Sequence, residues 1–147
     1  MAKMSEILYS LGQSDARDLR ARAKDMDGTS IIREEHKIPR WRADRDYSNH
    51  PVGSPARHEG QVYKLIQPHN AANYGGTPAT LPALWSIFHT KDPSRAKAWK
   101  DPDGISGLWM QGECYRDDAG QVHRCKADGT IYNAEALPSA WDTVKEE

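Results

Sequence analysis

Apolar positions fall into two textures along the chain. Up to Ile38 they recur at helical spacing, first as Met4, Ile7, Leu8 and Leu11 and then as Leu19, Ala23 and Met26. The spacing predicts two helical pieces separated near Gly12, the second capped by Ser14 and running to about Met26. Asp27-Gly28 reads as a stop. Beyond it, Thr29 or Ser30 would cap a short helix through Ile31, Ile32 and Glu35, which must end before Pro39. The apolar stripe on these helices is narrow and broken, so they need a partner to be stable. That partner is either the rest of the same chain or another protein, including further copies of this one.

From Trp41 onward the apolar positions become short pieces broken by Gly, Pro, Asn and Asp, and this half repeats itself. Gly60-Gln61-Val62-Tyr63 returns as Gly120-Gln121-Val122-His123, and Leu81-Pro82-Ala83-Leu84-Trp85 returns as Leu137-Pro138-Ser139-Ala140-Trp141. Trp41, Gly53 and Tyr74 in the first copy correspond to Trp99, Gly112 and Tyr132 in the second. In the second copy, short strands are expected at Glu113–Asp117 and Gln121–Cys125 around the turn Asp117-Asp118-Ala119-Gly120. In the first, Gly53–Arg57 and Gln61–Ile66 flank His58-Glu59-Gly60. The fold class expected is therefore mainly β with an N-terminal α part. A helical arm (residues 1–39) precedes two small β-meander modules, 40–90 and 98–144, joined by Thr90–Lys97, as a divergent tandem repeat. Trp41, Trp85, Trp99 and Trp141 are expected to close the module cores, since hairpins this short cannot bury much surface without a large ring.

Composition sharpens this picture. Leu, Ile, Val and Phe supply only 21 of 147 residues, whereas there are five Trp and six Tyr. Such a chain builds small cores around single rings, each ring burying ~150–250 Å². With 20 basic and 21 acidic residues the net charge is −1, which argues against a nucleic-acid partner. The basic stretch Lys37 to Arg45 reads as a solvated strand edge. No long apolar run exists, so neither membrane insertion nor a signal peptide is expected, and synthesis in a cytoplasm fits two cysteines.

The order Trp, Gly, Gly-x-x-Tyr, Pro-containing loop, terminal Trp over residues 41–144 resembles the chitin-binding-type modules of carbohydrate-binding families 5 and 12. The whole chain also resembles the short carbohydrate-binding-like proteins encoded by tailed phages and prophages of Gram-positive bacteria. The residues that carry this second resemblance are Ile31–Pro39, Asp46-Tyr47-Ser48, Pro51–Pro55, Gln67–Ala72, Leu81–Trp85, His89-Thr90, Asp92-Pro93 and Gly112-Glu113-Cys114. The resemblance implies a non-enzymatic virion accessory protein of the tail, neck or capsid surface. It would be held to other virion proteins through residues 1–39 as a homo-oligomer, and would display its modules toward cell-surface glycan for host attachment. A decoration or connector protein that never touches sugar is the alternative.

Sugar binding needs an exposed ring beside polar side chains. With four Trp assigned to module closure, the candidates are Trp109, next to Gln111 and Glu113, together with Tyr47, Tyr74, Tyr115 and Tyr132. If Ala119-Gly120 is a two-residue turn, Cys114 and Cys125 face each other across the hairpin. They are then either a disulfide or two reduced thiols. The spacing of Cys114, His123 and Cys125 is not that of a zinc site, and no cofactor is implied. His69, Glu34-Glu35 and Asp117-Asp118 read as loop, helix and turn residues, not as catalytic groups.

Overall fold

A computed structural model describes residues 14–102 and 107–144. The helical piece expected over Met4–Leu11 lies outside the described residues. Residues 14–22 are helical (α1) and tighten into a 3₁₀ turn at Ala23–Asp25; a second helix, α2, spans Gly28–Arg33 and another 3₁₀ turn spans Glu35–Lys37. The cap of α2 is Asp27, where a stop was expected: its carboxylate accepts the Ser30 amide at 2.8 Å, as an N-cap does for the third helical residue. That bond holds the Asp27 carboxyl below the usual range. Arg22 reaches Glu34 with its two terminal guanidinium nitrogens at 3.3 Å, tying the end of α1 to the end of α2.

The apolar stripe of this segment is covered from inside the chain. Leu19, Ala23, Ile31, Ile32 and Ile38 form one core with Val62 and Phe88, with Met26 at its margin. Val62 belongs to the first sheet, whose strands are β1 (Pro55–His58), β2 (Gln61–Leu65) and β3 (Trp85–Ile87) in the order β1-β2-β3, all antiparallel. Alternation along β2 sends Val62 to the helices and Tyr63 and Leu65 to the other face, where Tyr47, Leu84 and Trp85 cover them. The β1–β2 turn has two residues, Glu59 and Gly60, both at positive φ (48° and 79°), the geometry that suits the twist of a tight hairpin.

The second sheet has the order β4-β5-β6-β7, with β4 at Lys97–Ala98, β5 at Cys114–Arg116, β6 at Val122–Cys125 and β7 at Trp141–Val144. β4 runs parallel to β5, and the other pairs are antiparallel. Here the hairpin departs from a two-residue turn. Asp117 pairs its amide with Gln121, and Gly120 sits at φ 85°, so the loop is Asp118-Ala119-Gly120. The extra residue shifts the ladder by one. Cys114 therefore lies opposite Arg124, not Cys125, and both thiols are free and buried.

The two sheets share a backbone pattern. Gly53 donates to the Leu65 carbonyl and Gly112 to that of Cys125, each at 2.8 Å, with both glycines near φ 95° (97° and 92°). Trp85 is the partner of Leu65, and Trp141 that of Cys125. Arg40 makes a parallel bridge to Arg57 just before Trp41, and Ala98 makes one to Arg116 just before Trp99.

The segment between the sheets is pinned. Thr90 is buried and its carbonyl accepts the Cys114 amide at 2.8 Å; Lys91 donates its amide to the Thr29 hydroxyl at 2.8 Å; Lys97 is ion-paired with Glu35. Gly28 packs so closely on the His89 backbone that a side chain there has no room.

Candidate functional site

The second core is a stack of rings. His89 lies on Trp109 with centroids 3.6 Å apart and planes 8° off parallel; Trp109 lies on Trp99 at 5.1 Å and 11°. Trp141 meets both indoles edge-on, and Tyr115 meets Trp99 and Trp141 the same way. The offset stack of Trp99 on Trp109 and the edge-to-face contacts suit the quadrupoles of the rings. Each ring is also fixed by a polar bond. Trp99 donates to Asp101 at 2.6 Å, Trp141 donates to the Tyr132 carbonyl at 2.8 Å, and the Tyr115 hydroxyl accepts the Ala134 amide at 2.9 Å.

Trp99 is the half-buried end of this stack and lines a groove of about 660 Å³ between β4, the β5–β6 hairpin and the Asn133–Glu135 loop. Tyr115 and His123, whose rings stack at 5.0 Å, line it too, together with Arg116, Asp117, Asp118, Asn133 and Glu135. The Asp117 carboxylate is held by His123 Nε2 at 2.8 Å and by the amides of Ala119 and Gln121, which keep its pKa below the usual range. Burial raises the Tyr115 phenol. An aromatic ring fixed from behind, beside carboxylates and an amide, offers a sugar ring a stacking face and its hydroxyls hydrogen-bond partners. A smaller groove of about 350 Å³ lies at the corresponding place in the first sheet, lined by Trp41, Arg40, Arg57, His58, Glu59 and Glu35.

The candidate residues read from the sequence are placed differently. Trp109 is only 1% exposed, because its backbone pairs in both directions with Thr130 and its ring is sandwiched between His89 and Trp99. It is a core residue, not a platform. Tyr47 is buried against Trp85, with its hydroxyl accepting the Arg42 amide, and Tyr115 is buried as described. Tyr74 and Tyr132 are exposed, at 45% and 55%, but neither lines the groove. Glu113 is turned inward, accepting the Met110 amide at 2.7 Å and facing His89 Nδ1 at 3.2 Å. Gln111 is exposed and is held through its amide by Asp128. Trp85 and Trp141 are buried closures, whereas Trp41 and Trp99 are half-buried and line grooves. Sequence reasoning missed Trp99, His123, Asp118, Asn133 and Glu135 as one site. The only available signal was the matched position of Trp99 and Trp41.

Among the described residues, no group of three or more His, Cys, Asp or Glu could hold a metal ion, and no helix is long and apolar enough to cross a membrane. Comparison of the chain with protein-family models and with curated proteins finds no match.

Proposed function

We propose that this is a non-enzymatic saccharide-binding protein whose sugar site is the Trp99 groove. Its two sheets are divergent copies of one small unit, a reading supported by the matched glycine bonds, Trp pairings and parallel bridges of the two halves. More particularly, it is a bacteriophage virion accessory protein that presents these units to host-surface glycan. The virion role rests on the resemblance of segments such as Ile31–Pro39, Pro51–Pro55 and Gln67–Ala72 to phage-encoded carbohydrate-binding-like chains. Apolar side chains from Leu19 to Ile38 are taken up inside the chain, which leaves the exposed polar face of the helices, including Arg17, Asp18 and Arg33, for contact with neighbouring virion subunits. Many copies on one particle would turn weak single-site binding into firm adhesion.

The observation that carries the sugar reading is Trp99: a ring locked by Trp109 and Asp101 that still borders an open polar groove. The test is retention of the purified chain on bacterial cell walls and on a glycan array, compared with Trp99→Ala. Wild type should be retained and Trp99→Ala released while keeping its far-UV spectrum. Equal behaviour of the two would sink the proposal. Burial of Trp109, Tyr47 and Tyr115 favours a second reading, a decoration or connector protein with no sugar site. In that case neither protein is retained, yet the chain co-purifies with phage particles.

A further inference from the structure

We infer that the Trp99 groove selects saccharides bearing free ammonium groups, of the glucosamine type, over their N-acetylated or neutral counterparts. The inference rests on the saccharide reading of the groove and adds the class of sugar.

Acids near rings elsewhere in this chain are engaged by donors of the protein. Asp101 holds the Trp99 indole N–H, Glu113 holds the Met110 amide beside His89, and Asp117 holds His123 and two turn amides. Asp118 and Glu135 are different. Both are exposed, both line the groove, and neither makes a side-chain hydrogen bond or ion pair with the described residues. Arg116 also lines the groove, donating to the backbone carbonyls of Gly120 at 2.8 Å and Pro93 at 3.4 Å, and brings one positive charge to it.

The groove thus gathers three carboxylates against the single guanidinium of Arg116, two of them with no hydrogen-bonded partner among the described residues, on a chain whose overall charge is only −1. The acids do not make the site; the ring and the groove do. What the acids add is a negative potential at the edge of a stacking platform. A protonated amine on a sugar stacked upon Trp99 would find acceptors there, and an acetamide in its place would lose the charge. Acidic saccharides would be repelled. The groove beside Trp41 differs in its balance, since two arginines, Arg40 and Arg57, there offset two carboxylates, Glu35 and Glu59.

Because both carboxylates are solvated, each contact is worth only what an exposed ion pair is worth, so the preference should be about three- to tenfold and should fade with salt. The experiment compares binding of a β-1,4-linked glucosamine tetramer and its fully N-acetylated form to the full chain, below the pKa of the amine, at low and high ionic strength. The paired variant Asp118→Asn/Glu135→Gln tests the carboxylates, and Trp99→Ala tests the platform. The expected result is tighter binding of the amine form by wild type, no preference in the paired variant with its N-acetylated binding intact, and loss of both in Trp99→Ala. The inference is overturned if wild type binds the two tetramers equally, or if the paired variant keeps the preference. If wild type binds neither tetramer nor any saccharide on the array, the saccharide reading itself falls, and the inference with it.

Discussion

Replacing Gly28 by Ala pits two effects against each other, and the structure decides the sign. Gly28 opens α2, where Ala would ordinarily stabilise by up to ~1 kcal/mol through helix propensity and reduced freedom of the unfolded chain. A Cβ at this position, however, would lie 2.1 Å from the His89 carbonyl oxygen and 3.2 Å from that residue's carbonyl carbon and amide nitrogen. The obstacle is backbone, and it is held. The His89 ring is stacked on Trp109, the next carbonyl accepts Cys114 N–H at 2.8 Å, and Lys91 N–H is bound to Thr29 at 2.8 Å. Relief therefore requires α2 to move off the sheet by more than an ångström, opening the core of Ile31, Ile32, Val62 and Phe88. Overpacking of this kind costs ~1–3 kcal/mol or more, so the net effect is a loss of about 2 kcal/mol. With a urea dependence of ~2 kcal/mol per molar, the unfolding midpoint should fall by about 1 M. Tryptophan fluorescence in a urea series measures it. Gly75→Ala is the control, because nothing lies within 4 Å of a Cβ there and the position is exposed. A Gly28→Ala midpoint equal to or above wild type would refute the packing argument.

Trp109→Ala should lose about 3–5 kcal/mol and unfold the second sheet, since it removes the middle of the ring stack, while Tyr132→Ala should stay within ~0.5 kcal/mol; thermal unfolding separates them. Burial, with Arg20 and Arg45 close by, lowers the His50 imidazole from 6.5 to about 4. The folded state then refuses a proton that the unfolded chain accepts across that interval, so stability should fall as pH drops from 6.5 to about 4 and level off below, and His50→Gln should flatten the slope in melting curves. Both thiols should react with a thiol reagent only after unfolding, because they are buried and burial raises the Cys114 thiol; a mass loss of two hydrogens after mild oxidation of native protein would contradict the register of the hairpin.

Much of the fold is written in local pattern. The hairpins at Gln61–Leu65 and Val122–Cys125, the helix through Ile31 and Ile32, and the closing roles of Trp85 and Trp141 follow from turn residues, alternation and the repeated Leu-Pro-x-x-Trp. Register was harder to read. Asp117-Asp118-Ala119-Gly120 fits a two-residue or a three-residue loop equally well. The choice is made by the Asp117 carboxylate, which accepts from Ala119 and Gln121 and stabilises the longer form. One residue of slippage is enough to separate Cys114 from Cys125. The cap of α2 failed for a similar reason: Asp27 and Thr29 are both good capping residues, and the close contact of Gly28 with His89 fits a helix that starts at Gly28.

The site was less legible than the fold because ring exposure depends on partners distant in sequence. Trp109 sits two residues from Gln111 and four from Glu113, the polar neighbours that suggested an exposed ring. It is buried by Thr130 on its backbone and His89 on its face, neither of which any local spacing reveals. Trp99 carries the opposite lesson. Its expected role in closing a core accounts for one side of the ring, which packs against Trp109, Tyr115 and Trp141, and left the groove on the other side unread. Both residues come directly after the position that bridges in parallel to the first hairpin strand, at the margin of a sheet. A ring at a margin can contact the core with one side and border solvent with the other. That position also sets the ring beside the hairpin turn, whose Asp, Glu and Asn neighbours are polar because turns require them. The ring with its polar surround is thus a consequence of topology, and what distinguishes the two grooves is only which charges the turns and the neighbouring strand supply.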